Sequence, residues 1–143
     1  MTAATRVTVA TEEAVKAYDV TGLLPTFAKE SGLLLASVPH TSAALMLTEG
    51  DDELLSDLAR AGNRVLVPLE PFAHSRNGNP NGSAHIASAL FGTQVLIPVD
   101  SGQVSLGAWQ RLILLELDGP KERHIDFRLL IRSITDRGNE VAE

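Results

Sequence analysis

A chain of 143 residues with 12 basic against 18 acidic side chains, a net charge of −6 and a pI near 5.2 is long enough for one well-filled core and short for two. That acidic balance argues against a sequence-independent nucleic-acid binder, which needs a basic face to displace counterions. Without cysteine there is no disulfide framework, thiolate nucleophile or cysteine-held zinc, so a metal would have to be bound by His with Asp, Glu or water.

Thr5 to Ala10 alternates as a half-buried strand does, and Ala14 to Val20 is a weaker strand candidate. Leu23, Leu24, Phe27 and Ala28 are spaced for one helical face, which predicts a helix opening near Gly22, with Pro25 in its first turn and Gly32 as its end. Leu33 to Val38, apolar apart from Ser37, predicts a strand buried on both faces. Ala43 to Thr48 reads as a further strand, or a continuation after a kink at Pro39. Asp51 to Ala61 predicts a helix, with acidic residues in its first turn, Leu54, Leu55 and Leu58 on one face and Gly62 as a stop. Arg64 to Pro68 is a short strand candidate, and Glu70 to Asn81 has the composition of an irregular loop.

Ser83 to Phe91 predicts a short helix with Ser83 as N-cap and Gly92 closing it. Gln94 to Val99 and Gln103 to Leu106 read as a hairpin about Asp100 to Gly102. Trp109 to Leu117 and His124 to Ile134 read as a longer hairpin about Asp118-Gly119-Pro120. Residues 1–134 form the expected domain, and 135–143 a polar tail expected to be disordered. The fold class is α+β, a mixed and largely antiparallel sheet with about three short helices. The segment MTAATRVTV lacks a signal-peptide pattern and no apolar run reaches membrane-spanning length, so a cytoplasmic protein without membrane contacts is expected.

Three of the four histidines stand at loops or element ends. His74 and His85 flank a Gly/Asn/Pro loop, and His40 leaves an apolar strand. Three neutral imidazoles with an open fourth position make a known catalytic zinc arrangement, although these separations match no short zinc signature. His124 is read as an ordinary strand residue. Glu116 lies within LILLELDG, where a charge is costly unless paired or working; it either serves as base, ligand or histidine partner, or faces solvent on an edge strand. Asp51, Asp52 and Glu53 are accounted for by the helix dipole. The helix start from Gly82 to His85, with Arg76, Arg111, Lys121 or Arg123 nearby, has the makings of a phosphate site. The nucleophile-elbow, Walker A and dinucleotide-binding motifs are lacking.

The succession HTSAAL with Glu49 shortly after, then AHIASALFG, LIPVDSG, LGAWQ and LELDGP, resembles the YjbQ family, also called the secondary thiamine-phosphate synthase family, over roughly residues 33–132. The resemblance implies a trimeric α+β protein with a polar, histidine-containing pocket that often holds a metal. Position by position, it implies His40, His74 and His85 as metal ligands, zinc first and magnesium as an alternative. Glu49, Glu116 and Gln110 become candidate catalytic residues and Trp109 a candidate substrate contact, while Arg76, Ser83 and Arg123 are candidate substrate contacts from the anion reading of the helix start. This chain departs from the family pattern at Thr48, at Ala87 and Ser88, and at Ala108, where the family usually has Asn, a Lys-Ala step and Thr; the segment after Glu49 is one residue short.

Two kinds of function follow as expectations. One is a metal-dependent enzyme coupling a pyrimidine diphosphate to a thiazole phosphate, or hydrolysing a small phosphorylated compound. The other is a trimeric metal- or small-molecule-binding protein without turnover.

Overall fold

The structure, a computed structural model, describes residues 2–74, 78 and 80–131. Arg76 and the tail 135–143 fall outside them. In chain order the elements are β1 (Thr2–Ala10), β2 (Lys16–Asp19), β3 (Gly32–Ser37), β4 (Ala43–Thr48), α1 (Asp52–Arg64), α2 (Gly82–Phe91), β5 (Gln94–Asp100), β6 (Gln103–Val104), β7 (Arg111–Glu116) and β8 (Glu122–Ile131). The strands make two sheets, ordered β1-β8-β3-β5-β6 and β2-β7-β4, in which the pairings are antiparallel.

Strand periodicity sets the layers. Leu34 and Ala36 of β3, Ile97 and Val99 of β5, and Ile125, Phe127 and Leu129 of β8 meet Ala43, Leu45, Leu112 and Leu114 of the smaller sheet, all at 3% exposure or less. Each large member of this core contributes about 1.5–3 kcal/mol by leaving water. The other face of β7, with Ile113 and Leu115, and Leu117 just beyond it, packs with Ala17 and Ala44 against Leu55 and Leu58 of α1 and Ala84 and Ala87 of α2. The order of layers is therefore helices, three-stranded sheet, five-stranded sheet. The outer face of the larger sheet faces solvent.

Two α-helices match the sequence reading closely. Asp51 caps α1, its side chain accepting from the Leu54 amide at 3.0 Å. Gly62 lies inside α1 rather than ending it: a Cβ there would stand 3.2 Å from the Leu115 and Leu117 side chains, so hydrogen lets the helix approach the sheet. Asn81, not Ser83, is the N-cap of α2, and Gly92 closes it at φ 92°.

Four further expectations are corrected. The helix from Gly22 is only a 3-10 turn, Thr21–Leu23. Leu24 is held extended before Pro25, and Leu24 and Phe27 reach the core from loop backbone. β3 is buried on one face, not two, since Leu33 is 44% exposed. Arg64 to Pro68 is no strand; α1 runs to Arg64, a 3-10 turn occupies Val67–Leu69, and Leu66 is buried against the helices' side of the small sheet.

Finally, β7 and β8 do not pair as a hairpin. β7 has apolar residues on both faces and is the centre of the small sheet, so the chain crosses at 117–121 to the larger one.

Candidate functional site

The turn between β3 and β4, residues 38–42, sits against the start of α2. Ser88 donates from Oγ to the Ala43 carbonyl at 2.6 Å, fastening α2 to β4. Helical spacing then places His85 and Ala89 on one side, facing that turn. His85 Nδ1 is 2.7 Å from the Thr41 carbonyl. A carbonyl only accepts, so Nδ1 carries a proton, and in the neutral ring Nε2 keeps its lone pair. His74 lies beside it, ring centroids 5.0 Å apart and edge-on.

His40 is held in the same Nδ1–H tautomer but by its other nitrogen. Its Nε2 accepts the His124 amide at 2.8 Å, so in the neutral ring Nδ1 is the donor. Its ring stacks on that of His124 at 5.8 Å. Burial, then the Arg123 and His124 charges, hold the His40 pKa below the usual imidazole value and favour this neutral form. His40, Thr41, His74, His85, Ser88, Ala89 and Thr93 line an open cavity of about 640 Å³.

The three histidines expected as a metal site thus share one cavity but not one role. Among the described residues no group of three His, Cys, Asp or Glu side chains is placed to hold a metal ion. His85 has ligand chemistry, with a carbonyl fixing the ring and Nε2 free of a partner among the described residues. His74 stands next to it. His40 presents a proton rather than a lone pair, which suits it to an anionic oxygen. A divalent cation fits the His74 and His85 imidazoles only with further ligands from a bound molecule or water.

The candidate carboxylates are elsewhere. Glu116 is wholly buried and fully engaged: Arg123 donates from Nε to Oε2 at 2.8 Å and from its terminal nitrogen to Oε1 at 2.5 Å. Thr11 Oγ1 and the Leu117 and Asp118 amides donate to it as well. Burial alone would raise the Glu116 pKa, but these donors, Arg123 foremost, bring it below the usual carboxylate value. Neither the solvent-facing reading nor a free base describes it. Arg123, at 3% exposure, also donates to the Ser42 carbonyl and hydroxyl at 3.0 and 2.9 Å, and so is spent inside the protein rather than offered to a substrate.

Glu49 and Trp109 line a second cavity of about 360 Å³ with Asp19, Gly50, Asp51, Ala108 and Arg111. Arg111 donates to Asp19 there at 2.7 Å. Trp109 is 76% exposed. Gln110 accepts the Gly107 amide at 2.8 Å, closing its own loop. Ser83 is half-buried in the first turn of α2. The sequence reading missed the Thr41 carbonyl, which no side-chain pattern announces, and His124, whose place opposite Thr8 on the outer sheet face follows from β8 alternation.

Fold and site together define a two-sheet α+β protein with helices on one side and an open, histidine-lined cavity at the edge where α2 meets the β3–β4 turn. A family model described as "UPF0047 protein YjbQ-like" matches residues 5–131, and the chain belongs to that family. It is 37% identical over 99 residues to a UPF0047 protein of Archaeoglobus fulgidus, covering 69% of this chain and 78% of that one. A UPF0047 protein of Synechocystis is 40% identical over 90 residues, 61% of this chain and 60% of that one. Among solved structures, a hypothetical protein from Aeropyrum pernix K1 superposes with TM-score 0.81 at 32% identity, over 91% of this chain and 99% of that one. A YbjQ-like protein of unknown function from Sulfolobus solfataricus P2 gives 0.82 at 26% identity, over 92% and 99%.

Proposed function

We propose that the histidine cavity binds a small phosphorylated molecule together with a divalent cation, zinc first and magnesium as the alternative. In this reading the protein is an enzyme of the thiamine phosphate synthase type. The observation that carries it is the His85 imidazole, locked by the Thr41 carbonyl with Nε2 free of a partner among the described residues and His74 at 5.0 Å. When bound, the cation would offset charge on a departing diphosphate. His74 and His85 would hold it, while His40 Nδ1–H donates to an anionic oxygen. In the coupling, the thiazole nitrogen forms a C–N bond to the pyrimidine methylene as the C–O bond to diphosphate breaks. The same cavity suits hydrolysis of a small phosphorylated compound.

A second reading, a binding protein without turnover, is favoured by one observation: Glu49 and Glu116 stand outside this cavity, so its described titratable lining is imidazole alone. A homotrimer is part of both readings. It is supported by Leu33, Leu96 and Leu130, 44%, 56% and 42% exposed on the outer face of the large sheet, where a solvated antiparallel sheet ordinarily carries polar residues. No helix among the described residues is long and apolar enough to cross a membrane, and a cytoplasmic setting belongs to the proposal.

The test is elemental analysis of untagged protein purified without added metal, with a thiamine phosphate formation assay on the same preparation. Near-stoichiometric metal lost in His85→Ala, with activity lost alongside it, is expected. Metal without turnover on phosphorylated substrates selects the binding reading. Activity that survives His85→Ala rules out the cavity.

A further inference from the structure

The buried pair Glu116–Arg123 stands a few residues from the cavity without touching it, and its contacts are more than a stabilising plug needs. Glu116 continues the row Leu112–Leu114 along β7, and Arg123 begins the row Ile125–Phe127–Leu129 along β8, so the pair closes one end of the core between the sheets. Two oxygens of Glu116 hold the guanidinium at Nε and at one terminal nitrogen. That terminal nitrogen then reaches out of the pair to the Ser42 carbonyl and hydroxyl at 3.0 and 2.9 Å.

Ser42 follows Thr41, whose carbonyl sets the His85 tautomer at 2.7 Å. His124 follows Arg123, and its amide sets the His40 tautomer at 2.8 Å. The ion pair thus stands one residue from each of the two backbone groups that meet the imidazoles.

We infer that Arg123 and Glu116 are positioning residues for the histidine cavity, clamping the Thr41–Ser42 backbone so that His85 presents a bare Nε2 and His40 a protonated Nδ1. A planar fork is required for this. Lysine would keep the charge beside Glu116, but a single ammonium cannot span both carboxylate oxygens and the Ser42 group. The inference rests on the proposed reading of the cavity as a binding site only for its consequence; the clamp itself concerns the free protein.

Imidazole ¹⁵N NMR of the full chain at neutral pH separates the two tautomers of each histidine. Wild type is expected to show His85 protonated at Nδ1 and His40 bare at Nε2. In Arg123→Lys the His85 signals should move to a mixture of tautomers, and affinity for zinc ion alone should fall about tenfold, with the far-ultraviolet spectrum retained. Ser42→Ala, which removes one of the two outer contacts without a change of charge, should shift both readouts in the same direction by about threefold, and it serves if Arg123→Lys does not fold. Wild-type tautomers in a folded variant would overturn the inference. If wild type binds no zinc and yet the tautomers shift as described, the clamp stands and the cavity's proposed function falls.

Discussion

Removing the guanidinium from the buried pair is the most demanding test of how this core is closed. In Arg123→Ala the Glu116 carboxylate keeps the Thr11 hydroxyl and the Leu117 and Asp118 amides but loses its counter-charge while wholly buried. Breaking such a pair on one side costs about 3–5 kcal/mol, a large part of the stability of a domain this size. With about 2.1 cal/mol/K of unfolding entropy per residue over roughly 130 residues, the melting temperature should drop by about 10–20 °C.

Urea denaturation at neutral pH with an unchanged slope is the assay, and Glu116→Leu/Arg123→Met is the control. An apolar pair of similar volume should recover most of the loss, because neither partner is left charged in the core. The pH dependence carries a sign. Glu116 has a folded pKa below the ordinary 4.5, so its contribution is complete above about pH 4.5 and is lost as pH falls through the lower folded value. In Arg123→Ala burial dominates and raises that pKa, so the gap between variant and wild type should narrow on acidification. A cost under about 1 kcal/mol, as for an exposed pair, or a double variant no more stable than the single, would refute the reasoning.

Three further outcomes are expected. Gly32→Ala puts a Cβ 2.1 Å from the Leu130 carbonyl oxygen, a backbone atom that cannot move without parting β3 from β8, so thermal melts should show a loss of about 1–3 kcal/mol or more. Asp51→Ala removes the bond to the Leu54 amide and should lower stability by about 1 kcal/mol in urea melts while leaving His85 tautomer signals as in wild type. Trp109→Ala should change stability by no more than about 0.5 kcal/mol, since the indole is 76% exposed. Because Trp109 is the sole tryptophan, wild-type emission should resemble indole in water, and a blue shift at higher protein concentration would report a partner copy covering it.

Local pattern carried a good deal. Asp51 before two acidic residues and a leucine stripe specifies α1 by itself, because cap, dipole and amphipathic face all act within one helical turn. The strand periods of 43–48, 94–99 and 111–116 were equally legible, and the ordered motifs from HTSAAL to LELDGP sufficed for the family. The cavity was legible in part, since His40, His74 and His85 do line one space.

What no local pattern could settle was which strand pairs with which. A glycine-proline turn between two apolar runs looks the same whether the chain doubles back or crosses to another sheet, and only the need to bury both faces of β7, one under α1 and α2 and the other on the larger sheet, decides for the crossing. That decision carries Glu116 and Arg123 from a sequence-level acid/base and anion contact into each other's reach between the sheets. The same holds for the histidines. Residue type and the ordered family motifs pointed to three imidazoles at one site, and they do line one cavity. A carbonyl from Thr41 and an amide from His124, groups every residue possesses, acquire their roles only when tertiary packing aims them, and they decide which imidazole offers a lone pair and which a proton.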